Sequence, residues 1–139
     1  MSKVIEKIGG SEIIRQIIDD FYNQVFAHPI LSQFFIDVSH DHQVRQFTDF
    51  MVELLGGEKK FSGKLPDSAH THLMISKEHF KIRQKILEKT LKKHLNSNDL
   101  IEIWLNIDKS FEKVIVKESI EDCKKRFFTD KIISVKNTH

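Results

Sequence analysis

Two histidines, His70 and His72, stand two places apart in the stretch SAHTHL and are candidate metal ligands. The sequence predicts a short helix here, and two residues along a helix correspond to a rotation of roughly 200°. The two side chains therefore cannot share one face. A zinc site on a helix needs its histidines at i+3 or i+4, and no cysteine or carboxylate cluster stands nearby at ligand spacing. At most one of the two histidines faces an interior site, and zinc is not indicated.

Other residues suited to an interior site come from earlier segments. Tyr22 is the only tyrosine and lies beside an apolar helical stripe. Burying its hydroxyl without a partner costs on the order of a few kcal/mol, so it should face a hydrogen-bonding group or a ligand. Phe34 and Phe35 form a wall in a predicted corner, and Gln43 precedes Phe47 by one helical turn. The 11 phenylalanines fit either a Phe-packed core or an aromatic-lined pocket for a flat apolar ligand.

Helical periodicity supplies the elements that position these residues. Apolar stripes predict four longer helices, over 11–27, 41–55, 77–94 and about 98–117. Ser11 and Ser76 are predicted N-caps, and the pairs Gly9-Gly10 and Gly56-Gly57 permit sharp changes of direction. No segment alternates with period two over a useful length, so strands are not expected. We predict an all-α domain whose short helices pack on one another.

The composition is that of an ordinary soluble domain. The chain has 139 residues, of which 40% are hydrophobic and 30% charged, and a net charge of +2 is too small to indicate a nucleic-acid partner. The single cysteine, Cys123, excludes an internal disulfide and fits a reducing compartment. The charged N-terminus and the lack of a run of about 18 apolar residues predict no signal peptide and no membrane span. We expect a cytoplasmic monomer.

Five fragments, taken in order, resemble the truncated haemoglobins, the short globins with a two-over-two helical sandwich, and most of all their first group. The fragments are IGG (8–10), DFYNQV (20–25), HPILSQFF (28–35), ELLGGEKKFSG (53–63) and AHTHLMISKEHF (69–80). The resemblance covers roughly residues 3–116. It implies a truncated globin domain over 1–117 that binds haem b. The basic extension over 118–139 continues the last helix, docks back through its FF and II pairs, or is mobile.

On the proximal side, the resemblance implies that His70 is the ligand of the haem iron. His72 is then outward or structural. Phe35 matches the aromatic that wedges against the porphyrin at the corner, and Phe80 matches the aromatic that packs on the proximal side of the haem. A haem needs one neutral imidazole, a flat apolar slot and few polar groups at the open face of the iron, and these residues meet that need.

On the distal side, Tyr22 matches the tyrosine that donates a hydrogen bond to a diatomic ligand, and Gln43 matches the position that gates the ligand or donates a second hydrogen bond. The family often carries Gln four residues later, where this chain has Phe47, so the polar contacts rest on Tyr22 and Gln43, or on Gln46 if the helix is rotated. Arg83 stands where the family usually places an apolar or aromatic residue over the haem. A buried guanidinium is costly without a partner, so we expect it to reach outward to a haem propionate or a carboxylate. The alternative places a strong donor in the distal pocket.

Two further pairs have alternatives. His40 and His42, predicted just before the third helix, would supply a sixth iron ligand if that helix slides, but a solvated loop is favoured. Phe50 and Met51 would line a gas route, but core packing is favoured.

The implied function is reversible binding of O₂, NO or CO at a single haem iron, for NO detoxification or for O₂ handling and transport. A nitric oxide dioxygenase built on the same site would need a reductase in trans, because no reductase domain is attached. Redox or peroxidase-like chemistry and gas sensing are alternatives. A haem-free helical interaction module is a further one, which a Soret band in the purified protein would exclude.

Overall fold

The computed structural model describes residues 3–58, 72–123 and 132–134, and helices dominate it. The helices are α1 (Val4–Ile8), α2 (Ser11–Ala27), α3 (His40–Leu54), α4 (Lys77–His94), α5 (Asn98–Ser110) and α6 (Glu112–Ile115). Short 3-10 helices span Leu31–Phe35 and Ile120–Asp122, and two short strands are β1 (Leu73–Met74) and β2 (Ile133–Ser134). The helix predicted around His70 lies outside the described residues, apart from His72.

Local signals mark the ends of α4 as predicted. The Ser76 hydroxyl accepts a hydrogen bond from the backbone N of His79 at 3.2 Å, and the backbone N of Ser76 donates to Nδ1 of His79 at 3.1 Å. This is a capping box in which histidine takes the place of the usual glutamate. The helix ends at His94 after two lysines, in a last turn whose positive charge suits the negative end of the helix dipole.

Two predicted details are wrong. The N-cap of α2 is Gly10 and not Ser11, because φ at this cap is +95°, a value that glycine adopts readily and serine does not. The helix predicted over 98–117 breaks at Phe111, whose backbone N donates to the carbonyl of Asp108 at 3.2 Å. The last turn of the predicted helix is therefore the separate helix α6.

The four longer helices form two pairs, α2 with α3 and α4 with α5, and α2 also packs on α4. Their apolar stripes meet in one core, in which Ile14, Ile17 and Trp104 are fully buried. Burial of each such side chain contributes about 1.5–3 kcal/mol, which holds together helices that are marginal alone. Within the described ranges, none of the helices is long and apolar enough to cross a membrane.

The glycines after α3 serve two different purposes. Gly56 has a φ of +97°, a left-handed conformation that ends the helix. Gly57 is needed for space, since a Cβ there would lie 2.6 Å from Cγ1 of Val52 and 2.7 Å from Cδ1 of Ile5. The missing side chain lets α1 approach the end of α3, where the backbone N of Ile5 donates to the carbonyl of Leu55 at 3.1 Å.

A pair of two-residue strands departs from the expectation of no strands. β1 and β2 run parallel, with Leu73 opposite Ile133, and the backbone N of Ile133 donates to the carbonyl of His72 at 2.9 Å. Ile133 also packs against the core. A strand of two residues has no alternation for sequence analysis to detect. Residues 132–134 of the extension thus dock on the segment that follows His70.

Candidate functional site

Tyr22 lies at the centre of an aromatic cluster built by α2, the first 3-10 helix and α3. Its ring centroid is 5.2 Å from that of Phe21, 6.0 Å from those of Phe26 and Phe35, and 5.9 Å from that of Phe47. Three of these contacts are edge-to-face, an arrangement that the quadrupoles of aromatic rings favour. The structure thus brings three of the predicted site residues, Tyr22, Phe35 and Phe47, into one wall.

The hydroxyl of Tyr22 donates no hydrogen bond to any residue in the described ranges. Burial raises the pKa of Tyr22 to about 12, while the charge of Arg83 acts to lower it and that of Asp108 to raise it. The phenol is therefore protonated at neutral pH and is a competent donor. The side chain is half-buried among the rings, so its hydroxyl keeps an unused donor that a ligand in this pocket can take.

Gln43 lies in the first turn of α3 and is half-buried, as is Phe47 one turn later. Residues four apart are neighbours on a helix surface, so Gln43 borders the cluster on the side of Phe47. Its amide, like that of Gln46, makes no hydrogen bond within the part of the chain that the structure describes. Both amides are therefore free to serve a ligand.

Arg83 is held by a carboxylate, one of the partners expected for it, but in a largely buried position against the ring cluster and not in the outward one that was expected. Its Nη1 lies 2.6 Å from both carboxylate oxygens of Asp108, in α5. The side chains are 24% and 6% exposed, so this is a largely desolvated ion pair. Burial acts to lower the pKa of Arg83, but the charge and the hydrogen bonds of Asp108 outweigh it and raise that pKa. The guanidinium carbon also lies 5.8 Å from the ring centroid of Phe80, which is itself buried.

The sequence analysis did not single out Asp108, although a signal was present. Asp108 follows Trp104 by four residues and so places a carboxylate on the apolar stripe of α5. Arg83 follows Phe80 by three residues and places a cation on the stripe of α4. Opposite charges on the apolar stripes of two helices that pack together indicate a buried pair.

Of the two histidines in SAHTHL, the structure describes only the second. His70 lies outside the described residues, so its predicted role stays a prediction. His72 is 7% exposed, so the outward alternative for it is wrong and the structural one is left. Its carbonyl oxygen is the acceptor for the backbone N of Ile133.

The loop predicted for His40 and His42 is wrong, because α3 begins at His40. The ring of His40 lies 5.1 Å from that of Phe26, and its Nε2 is buried without a hydrogen-bond partner among the described residues. His42 is exposed. Met51 lies in the core at 2% exposure, which favours packing over a gas route.

Comparison with known proteins adds independent evidence. Residues 3–117 match the family model described as bacterial-like globin. A group 1 truncated hemoglobin of Tetrahymena pyriformis is 35% identical over 89 residues, which cover 64% of this chain and 74% of that protein. The crystal structure of the Fe(III) form of truncated hemoglobin from the same organism has a TM-score of 0.75 at 28% identity, covering 84% of this chain and 100% of that one. The 2/2 hemoglobin of a Synechococcus species, crystallised in the cyanomet state with covalently attached heme, has a TM-score of 0.74 at 26% identity, covering 82% and 98%.

Proposed function

We propose that this chain, which belongs to the bacterial-like globins and, within them, to the truncated haemoglobins, binds O₂ to remove NO. As a member of this family it has haem as its cofactor and diatomic gases as its ligands. The observation that carries the proposal is the protonated Tyr22 hydroxyl, which lies in a ring cluster with no hydrogen-bond partner among the described residues. An unused donor among aromatic rings suits a small ligand that carries partial negative charge.

The described residues fit a haem. Phe35, Phe47 and Phe80 supply apolar surface of the kind that a flat macrocycle needs, and Arg83 borders them. In this proposal His70 is the protein ligand of the iron, and the aromatic residues hold the porphyrin. The haem supplies the iron, which binds the diatomic ligand and changes oxidation state.

The polar residues orient and stabilise the ligand. Tyr22 donates a hydrogen bond to it, and Gln43 gates the pocket or donates a second one. Both side chains are half-buried, and Tyr22 is surrounded by aromatic rings, a setting in which a hydrogen bond is stronger than in water. Because the pKa of Tyr22 is about 12, its donor capacity is constant over the physiological pH range.

The proposed reaction combines one NO with one O₂ and one electron to give nitrate, NO₃⁻. The electron comes from a separate reductase in the same cytoplasmic compartment, and no proton is consumed. The protein then has to hold O₂ long enough for NO to arrive, which is the role given to Tyr22. Without the reductase, the same site would bind and release O₂ without converting NO.

The test is stopped-flow mixing of the reduced, O₂-equilibrated protein with NO, in the wild type and in Tyr22→Phe. We expect fast stoichiometric nitrate formation in the wild type. A hydrogen bond to a charged group contributes on the order of 1.5–3 kcal/mol, so Tyr22→Phe should speed O₂ dissociation by about tenfold or more. Phe26→Leu, which alters a ring of the same cluster but removes no polar group, is the matched control.

Two results would contradict these expectations separately. Slow or absent nitrate formation in the wild type refutes the NO reaction. An O₂ dissociation rate that is equal in the wild type and Tyr22→Phe refutes the role of the tyrosine.

A further inference from the structure

Arg83 brings a positive charge into the ring cluster that surrounds Tyr22. Its guanidinium carbon lies 5.2 Å from the ring centroid of Phe21 and 5.9 Å from that of Phe47. The same two rings contact Tyr22, at 5.2 and 5.9 Å. The faces of aromatic rings are electronegative and attract a cation, and with 24% of its side chain exposed Arg83 is only weakly screened by solvent.

Asp108 fixes the position of Arg83 and accepts hydrogen bonds from only one of the three guanidinium nitrogens. Nη1 of Arg83 donates to both carboxylate oxygens, at 2.6 Å each. Arginine also carries N–H donors on Nε and Nη2, and neither nitrogen donates to a residue within the described ranges. These donors are available to a further acceptor.

Arg83 is the member of the ion pair whose charge lies against the rings of the Tyr22 cluster. Burial is the main reason that the pKa of Tyr22 is raised to about 12, but Arg83 acts to lower this pKa more strongly than Asp108 acts to raise it. The charge of Arg83 therefore affects the pKa of the phenol more than the charge of Asp108 does. We therefore expect an anion beside Tyr22 to meet the positive charge of Arg83 as well as its unused donors.

We propose that Arg83, held in place by Asp108, is a specificity-determining residue of the Tyr22 pocket: its charge raises the affinity of the ferric haem site for small monovalent anions, with fluoride and azide as probes, relative to neutral ligands. This role goes beyond the binding of neutral gases. It rests on the placement of Tyr22 beside the haem ligand, which the proposed function shares, and it does not depend on the reaction with NO. Unit charges about 6 Å apart, at an effective dielectric constant of about 20, attract each other enough to change affinity about a hundredfold, and Asp108 cancels part of that attraction, so we expect a net effect of the pair of about tenfold.

The experiment titrates fluoride and azide into the ferric haem-loaded protein and follows the Soret band. The main variant is Arg83→Gln with Asp108→Asn, which removes both charges but keeps polar groups that can bond each other, so no buried charge is left unpaired. We expect the Kd for both anions to rise about tenfold, while the affinity of the ferrous protein for CO, a neutral ligand, changes less than about twofold. Unchanged anion affinity overturns the proposal, and so does an equal loss of affinity for CO.

A second variant makes the opposite prediction and keeps the arginine. Asp108→Asn retains an oxygen that can accept from Nη1 but no longer opposes the positive charge. We expect anion affinity to rise about threefold or more, and a fall or no change overturns the proposal. This variant decides the question if the double variant takes up no haem.

The matched control is the exposed pair formed by Arg15 and Glu12 on α2, with a 2.6 Å ion-pair distance and side chains 52% and 64% exposed. Glu12→Gln with Arg15→Gln removes the same two charges away from the ring cluster. It should leave anion affinity unchanged, and a loss equal to that of the Arg83 and Asp108 variant overturns the proposal. If Arg83→Gln with Asp108→Asn forms nitrate normally and binds anions as tightly as the wild type, this inference alone is refuted. Absent nitrate formation in the wild type refutes the proposed function alone.

Discussion

Helix α2 carries polar side chains in two settings that differ in how their hydrogen bonds are used. Toward α4, Nε2 of Gln24 donates to the Thr90 hydroxyl at 2.9 Å, and Asp20 lies 2.7 Å from Nε2 of His94. Tyr22, between Asp20 and Gln24 in the sequence, is surrounded by rings and has no hydrogen-bond partner in the described ranges. The first setting, here called the α2–α4 network, is closed, because its polar groups are paired within the protein. The Tyr22 pocket is open, because the hydroxyl of Tyr22 has no such partner among the described residues.

The difference teaches how to separate structural from functional polar groups on one helix. A polar group that contributes to folding is paired within the protein, because an unpaired one lowers stability. A group that serves a ligand keeps unused capacity and lowers stability until the ligand arrives. Exchanging a residue of the α2–α4 network should therefore affect the stability of the fold, and exchanging a residue of the open pocket should affect ligand binding.

The largest expected effect extends the comparison to the iron ligand. His70→Ala should lose haem, because no other residue is assigned to the iron, whereas His72→Ala should keep haem and lose stability as a buried residue does. The measurement is the haem content of the purified variants, from the Soret absorbance per chain.

Equal loss of haem in both histidine variants would refute the assignment of His70. Loss of haem in His72→Ala alone would make His72 the iron ligand and His70 the structural residue. His42→Ala, at an exposed position of α3, is the control and should retain haem fully.

An intermediate effect is expected from the α2–α4 network. The hydroxyl of Thr90 donates to the carbonyl of Ile86 at 2.7 Å and accepts from Gln24, and the residue is 1% exposed. Thr90→Val keeps the shape and removes both hydrogen bonds, so the free energy of unfolding should fall by about 1 kcal/mol. Urea denaturation measures this, and the O₂ dissociation rate should not change.

Thr48→Val is the matched control for Thr90→Val. Thr48 is buried too, but its hydroxyl has no hydrogen-bond partner among the described residues. Its replacement should leave the free energy of unfolding unchanged or raise it. A larger loss for Thr48 than for Thr90 would contradict the distinction between paired and unpaired groups.

Asp20 and Tyr22 do not titrate near neutral pH, so the effects of pH come last, and the two settings should respond at opposite ends of the scale. Burial acts to raise the pKa of Asp20, but hydrogen bonds and charges from His94 and Lys93 outweigh it and hold this pKa below its usual value of 3.8. The network thus adds stability above that value and loses it as the pH falls further. The pKa of Tyr22 is raised from 10.0 to about 12, so its contribution is complete below pH 10 and is lost as the pH rises toward 12.

Each end of the scale has its own measurement. The phenolate absorbance of Tyr22, the only tyrosine, should titrate near pH 12 in the folded protein and near 10 in the denatured one. The free energy of unfolding of Asp20→Asn should fall less on acidification than that of the wild type. A phenolate midpoint near 10 in the folded protein, or parallel acid profiles for Asp20→Asn and the wild type, would contradict the assignment at that end.

The parts of the fold that could be predicted are those with local causes. The capping serine and the terminal lysines define α4 within its own sequence, so its ends were predicted correctly. The cap at Gly10, with its positive φ, and the break at Phe111 depend on how the chain turns between neighbouring helices, which a helical period does not report. The strand pair joins residues far apart in the sequence and has no local pattern.

The site shows the same division. Tyr22, Phe35 and Phe47 were predicted to share a pocket and do share a cluster. For Arg83 the sequence predicted the class of partner but not Asp108 itself, since which carboxylate it meets depends on the packing of α4 on α5. Helical rotation separated the two histidines of SAHTHL but did not determine which faces are buried, which is why the outward alternative for His72 is wrong.

The strand pair also has a consequence for folding during translation, because its two strands are synthesised at different times. Leu73 and its partner Ile133 are sixty residues apart in the sequence. At about 5–20 residues per second on the ribosome, β1 leaves the site of synthesis about 3–12 s before β2 exists. Helices α4 and α5 are made in that interval, so the segment that follows His70 is joined to its partner strand only after the second helix pair has been translated.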